Sequence, residues 1–164
     1  MKRLMMLVTI ASIGTAGSAR AQAVSARDSA SVTRDMQRTL DEMLQAANTH
    51  DTDRYMAAFA RNPTIVSVFD GEIIEGWSNI AAQQRKWWNN GKSDVAYALS
   101  GAPRVVVLSP NAATVTVTLD SHGTRPNGQP GAVTIVSTMV WQRQPEGWRI
   151  VQAHESISRT ATVR

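Results

Sequence analysis

From Val32 to Ala47 the apolar residues Val32, Met36, Leu40, Met43, Leu44 and Ala47 recur at spacings of three and four. That period belongs to a helix with one buried stripe. Ser31 is the expected N-cap, and Asn48-Thr49-His50 is the expected end. A second helix is expected over residues 53–61, striped by Tyr55, Met56 and Phe59, with Asp51 or Thr52 as cap and Pro63 as stop.

The period then changes. Residues 64–69 and 72–75 read as short strands around Asp70-Gly71, a tight-hairpin signal. A third helix opens at Gly76-Trp77-Ser78, carries Trp77, Ile80, Ala81, Gln84, Trp87 and Trp88 at helical spacing, and ends at Asn89-Asn90-Gly91. Strands are expected near 95–99, 104–108 and 113–121. In the last, Ala113, Val115, Val117 and Leu119 alternate with Thr114, Thr116, Thr118 and Asp120, so one face is buried. Pro126-Asn127-Gly128 is the next turn signal.

The final stretch, residues 132–157, holds two strand runs split by Gln144-Pro145-Glu146-Gly147. If that loop sets the register, Arg143 faces Trp148, Trp141 faces Ile150, Met139 faces Gln152 and Ser137 faces His154. Directly opposed residues share a face. One face then mixes Trp141, Met139, Ser137, Trp148, Gln152 and His154, the make-up of a pocket wall. The other carries Val136, Thr138, Val140, Val151, Ala153 and Glu155, and reads as a packing or subunit surface. Helices first and strands last predict an α+β fold, three N-terminal helices on a curved, mostly antiparallel sheet.

The first residues change the charge picture. Lys2 and Arg3 precede an apolar run, 4–13, and Ala19-Arg20-Ala21 fits a small-x-small cleavage site. This predicts a signal peptide over 1–21 and a periplasmic or secreted mature protein. The run is too short to span roughly 30 Å of hydrocarbon, so no membrane anchor is expected after cleavage. The chain carries 17 Lys+Arg against 13 Asp+Glu; without Lys2, Arg3 and Arg20 that becomes 14 against 13, a net +1. A balance so close to neutral, with no basic cluster, excludes nucleic acid as a partner. The chain has no Cys, so neither a disulfide framework nor a thiolate metal site is available. A loose tail is expected at 22–31, one domain over 32–158, and a short C-terminal tail at 159–164.

Five segments in order carry a family resemblance: Asp51-Thr52-Asp53-Arg54-Tyr55, Ile74-Glu75-Gly76, Asn127-Gly128-Gln129, Val140-Trp141-Gln142-Arg143 and Gly147-Trp148-Arg149-Ile150-Val151-Gln152-Ala153-His154-Glu155-Ser156. Together the chain resembles the SnoaL-like, or nuclear transport factor 2-like, superfamily, and most of all the association domain of calcium/calmodulin-dependent kinase II and its bacterial relatives. The resemblance implies a cone-shaped, cystatin-like fold, an internal pocket, and dimerisation through the sheet. At Met139 and Glu155 the chain departs from the basic pocket residues of the kinase association domain.

His154 is the expected catalytic group, a desolvated imidazole poised to take a proton. Tyr55, Trp77, Met139, Trp141 and Gln152 are the expected binding residues. Asp51 and Asp53 are better explained as helix caps, and Asp70 as turn chemistry. No phosphate loop, serine elbow or paired-histidine metal motif occurs, so no cofactor or metal is expected. Two functions follow: a small-molecule-binding protein, acting as an acid–base lyase or isomerase, or a non-catalytic module whose sheet makes homo-oligomers.

Overall fold

The computed structural model describes residues 24–124 and 128–158. The expected signal peptide, the cleavage site, most of the turn at 126–128 and the C-terminal tail lie outside them. Helix α1 (Ala26–Asn48) begins six residues earlier than its apolar stripe suggests. Ser25, not Ser31, is its N-cap, accepting from the Asp28 amide at 3.0 Å. The Ser25 hydroxyl also donates to the Asp28 carboxylate, a local exchange that satisfies a free N–H at the helix start. The expected tail is therefore helical from Ala26 onward.

Helix α2 (Thr52–Met56) is short, capped by Asp51 accepting from the Arg54 amide at 3.0 Å. Its stripe continues in a turn rather than a helix, because the backbone is claimed elsewhere. The Ile150 amide donates to Ala58, and the Ala60 amide donates back to Ile150. Strands β1 (Val66–Phe69) and β2 (Glu72–Glu75) form the expected hairpin, with Asp70 and Gly71 both at positive φ. Helix α3 (Trp77–Trp87) is followed by one 3-10 turn at Asn89–Gly91.

Strands β3 (Ala96–Leu99), β4 (Arg104–Ser109), β5 (Ala112–Thr124), β6 (Pro130–Gln144) and β7 (Gly147–Ser158) complete one sheet. Its order is β2-β1-β7-β6-β5-β3, with β4 beside β3 along the same edge of β5. Among the described strands only the β1–β7 pair is parallel, and an isolated bridge from Phe59 to Ile150 extends that direction. The three helices cover the concave face. Val32, Met36, Leu40 and Met43 of α1 meet Val115, Val117, Met139 and Trp141 of the sheet, and Met36, Val115 and Trp141 are wholly shielded. Burying a Met or Ile side chain stabilises by about 1.5–3 kcal/mol, so this seam anchors the fold.

One residue in β7 decides what faces the concavity. The expected register holds from Gln144↔Gly147 to Trp141↔Ile150, but the next pair is Val140↔Gln152. Val151 is an extra residue, a β-bulge, and a one-residue slip turns all following side chains over. The bulge sits where β7 changes partner, from the Ala58–Ala60 segment at Ile150 to β1 at Gln152. Met139 therefore opposes Ala153, and Ser137 opposes Glu155.

Candidate functional site

Between α1, α3 and the inner sheet face lies a cavity of about 150 Å³. Helix α1 contributes Leu40, Met43, Leu44 and Ala47, and the sheet contributes Leu99, Val117, Leu119, Ile135 and Met139. The aromatic wall is Tyr55, Trp88, Tyr97, Phe69 and Trp87. Tyr55 meets Trp88 edge to face at 5.1 Å, and Phe69 meets Trp87 at 4.4 Å. Such tilted contacts suit aromatic quadrupoles and fix the rings.

Four kinds of polar group interrupt this hydrocarbon lining: the Glu155 carboxyl, the Tyr55 and Tyr97 hydroxyls, the Ser137 hydroxyl and the Gln84 amide. The lining holds no Lys, Arg or His. Glu155 reaches the cavity because the bulge turns it inward, onto one rung with Phe69, Ser137 and Val117. Ser137 donates to Glu155 Oε1 at 3.2 Å. Burial pushes the Glu155 carboxyl above the ordinary glutamate value, and the Ser137 hydrogen bond opposes that only in part. Tyr55 is pushed up well above an ordinary tyrosine by burial first and by the neighbouring Glu155 charge second. Burial also raises Tyr97, while a hydrogen bond from Trp88 Nε1 to its hydroxyl oxygen, 3.0 Å long, works the other way. The constellation is one carboxyl and two phenols, all with proton affinities raised by burial, in an aromatic-walled cavity.

The placement of the expected residues is mixed. Tyr55 and Met139 line the cavity as expected. His154 and Gln152 do not: both are exposed on the convex face, with His154 opposite Thr138 and Val68. The bulge at Val151 is the reason, and His154 cannot take a proton from a ligand in this cavity. Glu155 and Ala153, expected outside, face inward for the same reason. Trp141 is fully buried among core residues and does not line the cavity; its Nε1 has no hydrogen-bond partner. Trp77 also lies elsewhere, donating to the Met56 carbonyl at 3.2 Å under the Arg61 guanidinium.

Asp51 caps α2, and Asp53 pairs with Arg85 at 2.6 Å on the surface. His122 is exposed on β5. His50 packs edge-on to Trp88 and shares a 2.8 Å hydrogen bond with the Val95 carbonyl, which holds the end of α1 against β3. Among the described residues no cluster of metal-ligating side chains occurs, and no helix is long and apolar enough to cross a membrane.

Sequence reading missed Glu155, Tyr97 and Gln84 as site residues. Gln84 had a signal: a polar residue on the buried stripe between Ile80 and Trp88. Tyr97 alternates with Ala96 and Ala98 on a short strand, which marks it as inward but not as lining a hollow. Glu155 had none, since its orientation depends on a bulge set by tertiary pairing.

Residues 36–160 match the model of the SnoaL-like domain. No match was found among curated proteins. Solved structures align across nearly their full length. A nuclear transport factor 2-like superfamily protein from Salmonella enterica is 24% identical, with 82% of this chain and 96% of that one covered and a TM-score of 0.70. A Streptomyces avermitilis protein provisionally described as a dehydratase of the same family is 17% identical, with 80% and 99% covered and a TM-score of 0.67. The association domain of calcium/calmodulin-dependent kinase II from C. elegans is 21% identical, with 77% and 96% covered and a TM-score of 0.62. At these identities the neighbours share the fold. A match spanning most of the chain, on an α+β sheet curved around one long helix, makes this chain a member of the SnoaL-like domain family.

Proposed function

We propose that this chain is an exported SnoaL-like protein that binds a small molecule in the interior cavity and moves a proton at Glu155. The observation that carries the reading is Glu155 itself, a carboxyl desolvated in a hydrocarbon-lined chamber. Burying an ionisable group is costly, and a purely structural wall would be better served by Leu or Met. A carboxyl whose proton affinity is raised by burial is suited to act as general acid and base. In a lyase or isomerase step it would remove a proton beside a ligand carbonyl or protonate a leaving oxygen. The dehydratase description of one structural neighbour agrees with that class. Such help is worth on the order of a hundred- to ten-thousand-fold in rate.

The test begins with mass spectrometry of small molecules released when the purified protein is denatured. A released compound is the candidate substrate. Glu155→Gln should still bind it and should lose turnover by at least a hundredfold, while His154→Gln should keep turnover. No released compound, and no response of intrinsic tryptophan fluorescence to single-ring probes, would overturn the reading.

A second property has its own observation. The convex face carries Val106 and Leu108, 56% and 55% exposed, beside Val136 and a row of threonines. Exposed apolar residues of this size, on a face that also holds Arg104 and Asp120, suit a homodimer contact with a polar rim, and the association domain among the neighbours is named for assembly. Dimerisation and a ligand cavity use opposite faces of the sheet, so one does not exclude the other.

A further inference from the structure

The hydrogen-bond partners of the cavity hydroxyls limit the chemical class it accepts. This step rests on the reading of the cavity as a ligand site. An indole N–H only donates, so the Tyr97 oxygen that receives Trp88 Nε1 spends acceptor capacity on it. Its own O–H then has no acceptor among the described residues. At Glu155 the Ser137 hydroxyl donates to Oε1, so a proton on the carboxyl sits on Oε2, away from Ser137. The Gln84 amide lines the same cavity. The cavity wall therefore offers donors to an occupant at Tyr97 and, when protonated, at Glu155.

We infer that the cavity takes an uncharged, single-ring compound bearing a carbonyl or similar acceptor oxygen, gripped by the Tyr97 and Glu155 hydroxyls. Size sets the single ring: a hydrocarbon-lined cavity of this volume accommodates about one benzene. The walls of Trp88, Tyr55 and Phe69 supply aromatic surfaces for it. Charge sets the rest. An anion would meet no cation in the lining and a carboxyl at its centre. A cation would need the ionised form of Glu155, which burial disfavours, and it would leave the Tyr97 donor unmatched. Trp88 and Ser137 also position: each directs the hydrogen of a group that grips the ligand.

Four single-ring probes with the same carbon count separate the possibilities: acetophenone, ethylbenzene, phenylacetate and phenethylamine, titrated at pH 7 against tryptophan fluorescence of the full chain. Two neutral hydrogen bonds predict acetophenone binding about tenfold or more tighter than ethylbenzene. Tyr97→Phe, which keeps the ring, should erase most of that ratio and leave ethylbenzene affinity unchanged. Trp88→Phe should lower the ratio also, provided circular dichroism shows it folded; Tyr97→Phe serves regardless. Tightest binding of phenethylamine or phenylacetate, or equal binding of ketone and hydrocarbon, would overturn the inference while leaving a ligand cavity in place. Failure of all four to bind at millimolar concentration would remove the cavity reading itself.

Discussion

Ser137 stands directly opposite Glu155 across β6 and β7, and its hydroxyl donates to the Glu155 carboxyl at 3.2 Å. The pairing places one titratable group at the centre of an apolar chamber, and the bulge at Val151 produces it. Stability, ligand binding and catalysis should all report on that carboxyl.

Stability should depend on pH through Glu155. Its folded-state proton affinity is raised. At low pH both folded and unfolded chains hold the proton, and there is no penalty. As pH rises past the ordinary glutamate value, the unfolded chain releases the proton first, so folding stability falls. The decline ends once the folded carboxyl has titrated. Glu155→Gln should therefore be close to neutral at pH 4 and stabilising at pH 8, as read from urea midpoints. A variant destabilised more at pH 8 than at pH 4 would reverse the sign.

Deleting Val151 should remove the bulge and keep the inner face. Gln152 would follow Ile150 directly, so Val140↔Gln152, Met139↔Ala153 and Ser137↔Glu155 stay paired and Glu155 stays inward. The Glu155 carboxyl should then still titrate above the ordinary glutamate range, as carbon-13 NMR of the variant would show. A carboxyl returned to the ordinary range would mean that the extra residue itself, and not the pairing beyond it, holds Glu155 in the cavity.

The convex face should mediate dimerisation. Light scattering of the native protein should give twice the chain mass at micromolar concentration, and Val136→Lys should give the single mass. Val136 is 38% exposed on that face, so the lysine should cost little in monomer stability, within about 0.5 kcal/mol. A native protein already monomeric at those concentrations would exclude this interface.

Export should leave a mature protein beginning at Gln22, as N-terminal sequencing of the secreted or periplasmic fraction would show. The basic start, the short apolar run and Ala19-Arg20-Ala21 motivate this. Retention of Met1 would contradict it.

The fold was legible because its signals are local. Helical spacing in α1 and α3, Asp70-Gly71 and the alternation in β5 all follow from neighbours a few residues apart. The register of β6 and β7 was legible as far as Ile150, where turn length sets it. Beyond that point a contact with Ala58 and Ala60, ninety residues away in sequence, intervenes. His154 and Glu155 are adjacent in sequence and opposite in outcome. No local pattern distinguishes them, so the candidate site moved by one residue while the fold stayed as expected. The start of α1 was missed for a smaller reason: its first turns, from Ala26 to Ser31, are mostly polar, and periodicity cannot detect a helix that buries nothing.

The most direct measurement is a carbon-13 NMR titration of the Glu155 carboxyl in the folded protein, with and without acetophenone. A desolvated group in the cavity should titrate above the ordinary glutamate range. Bound ketone, accepting the carboxyl proton, should push the midpoint higher still. An ordinary glutamate midpoint that acetophenone does not move would place Glu155 in contact with water and contradict its role at the centre of the site.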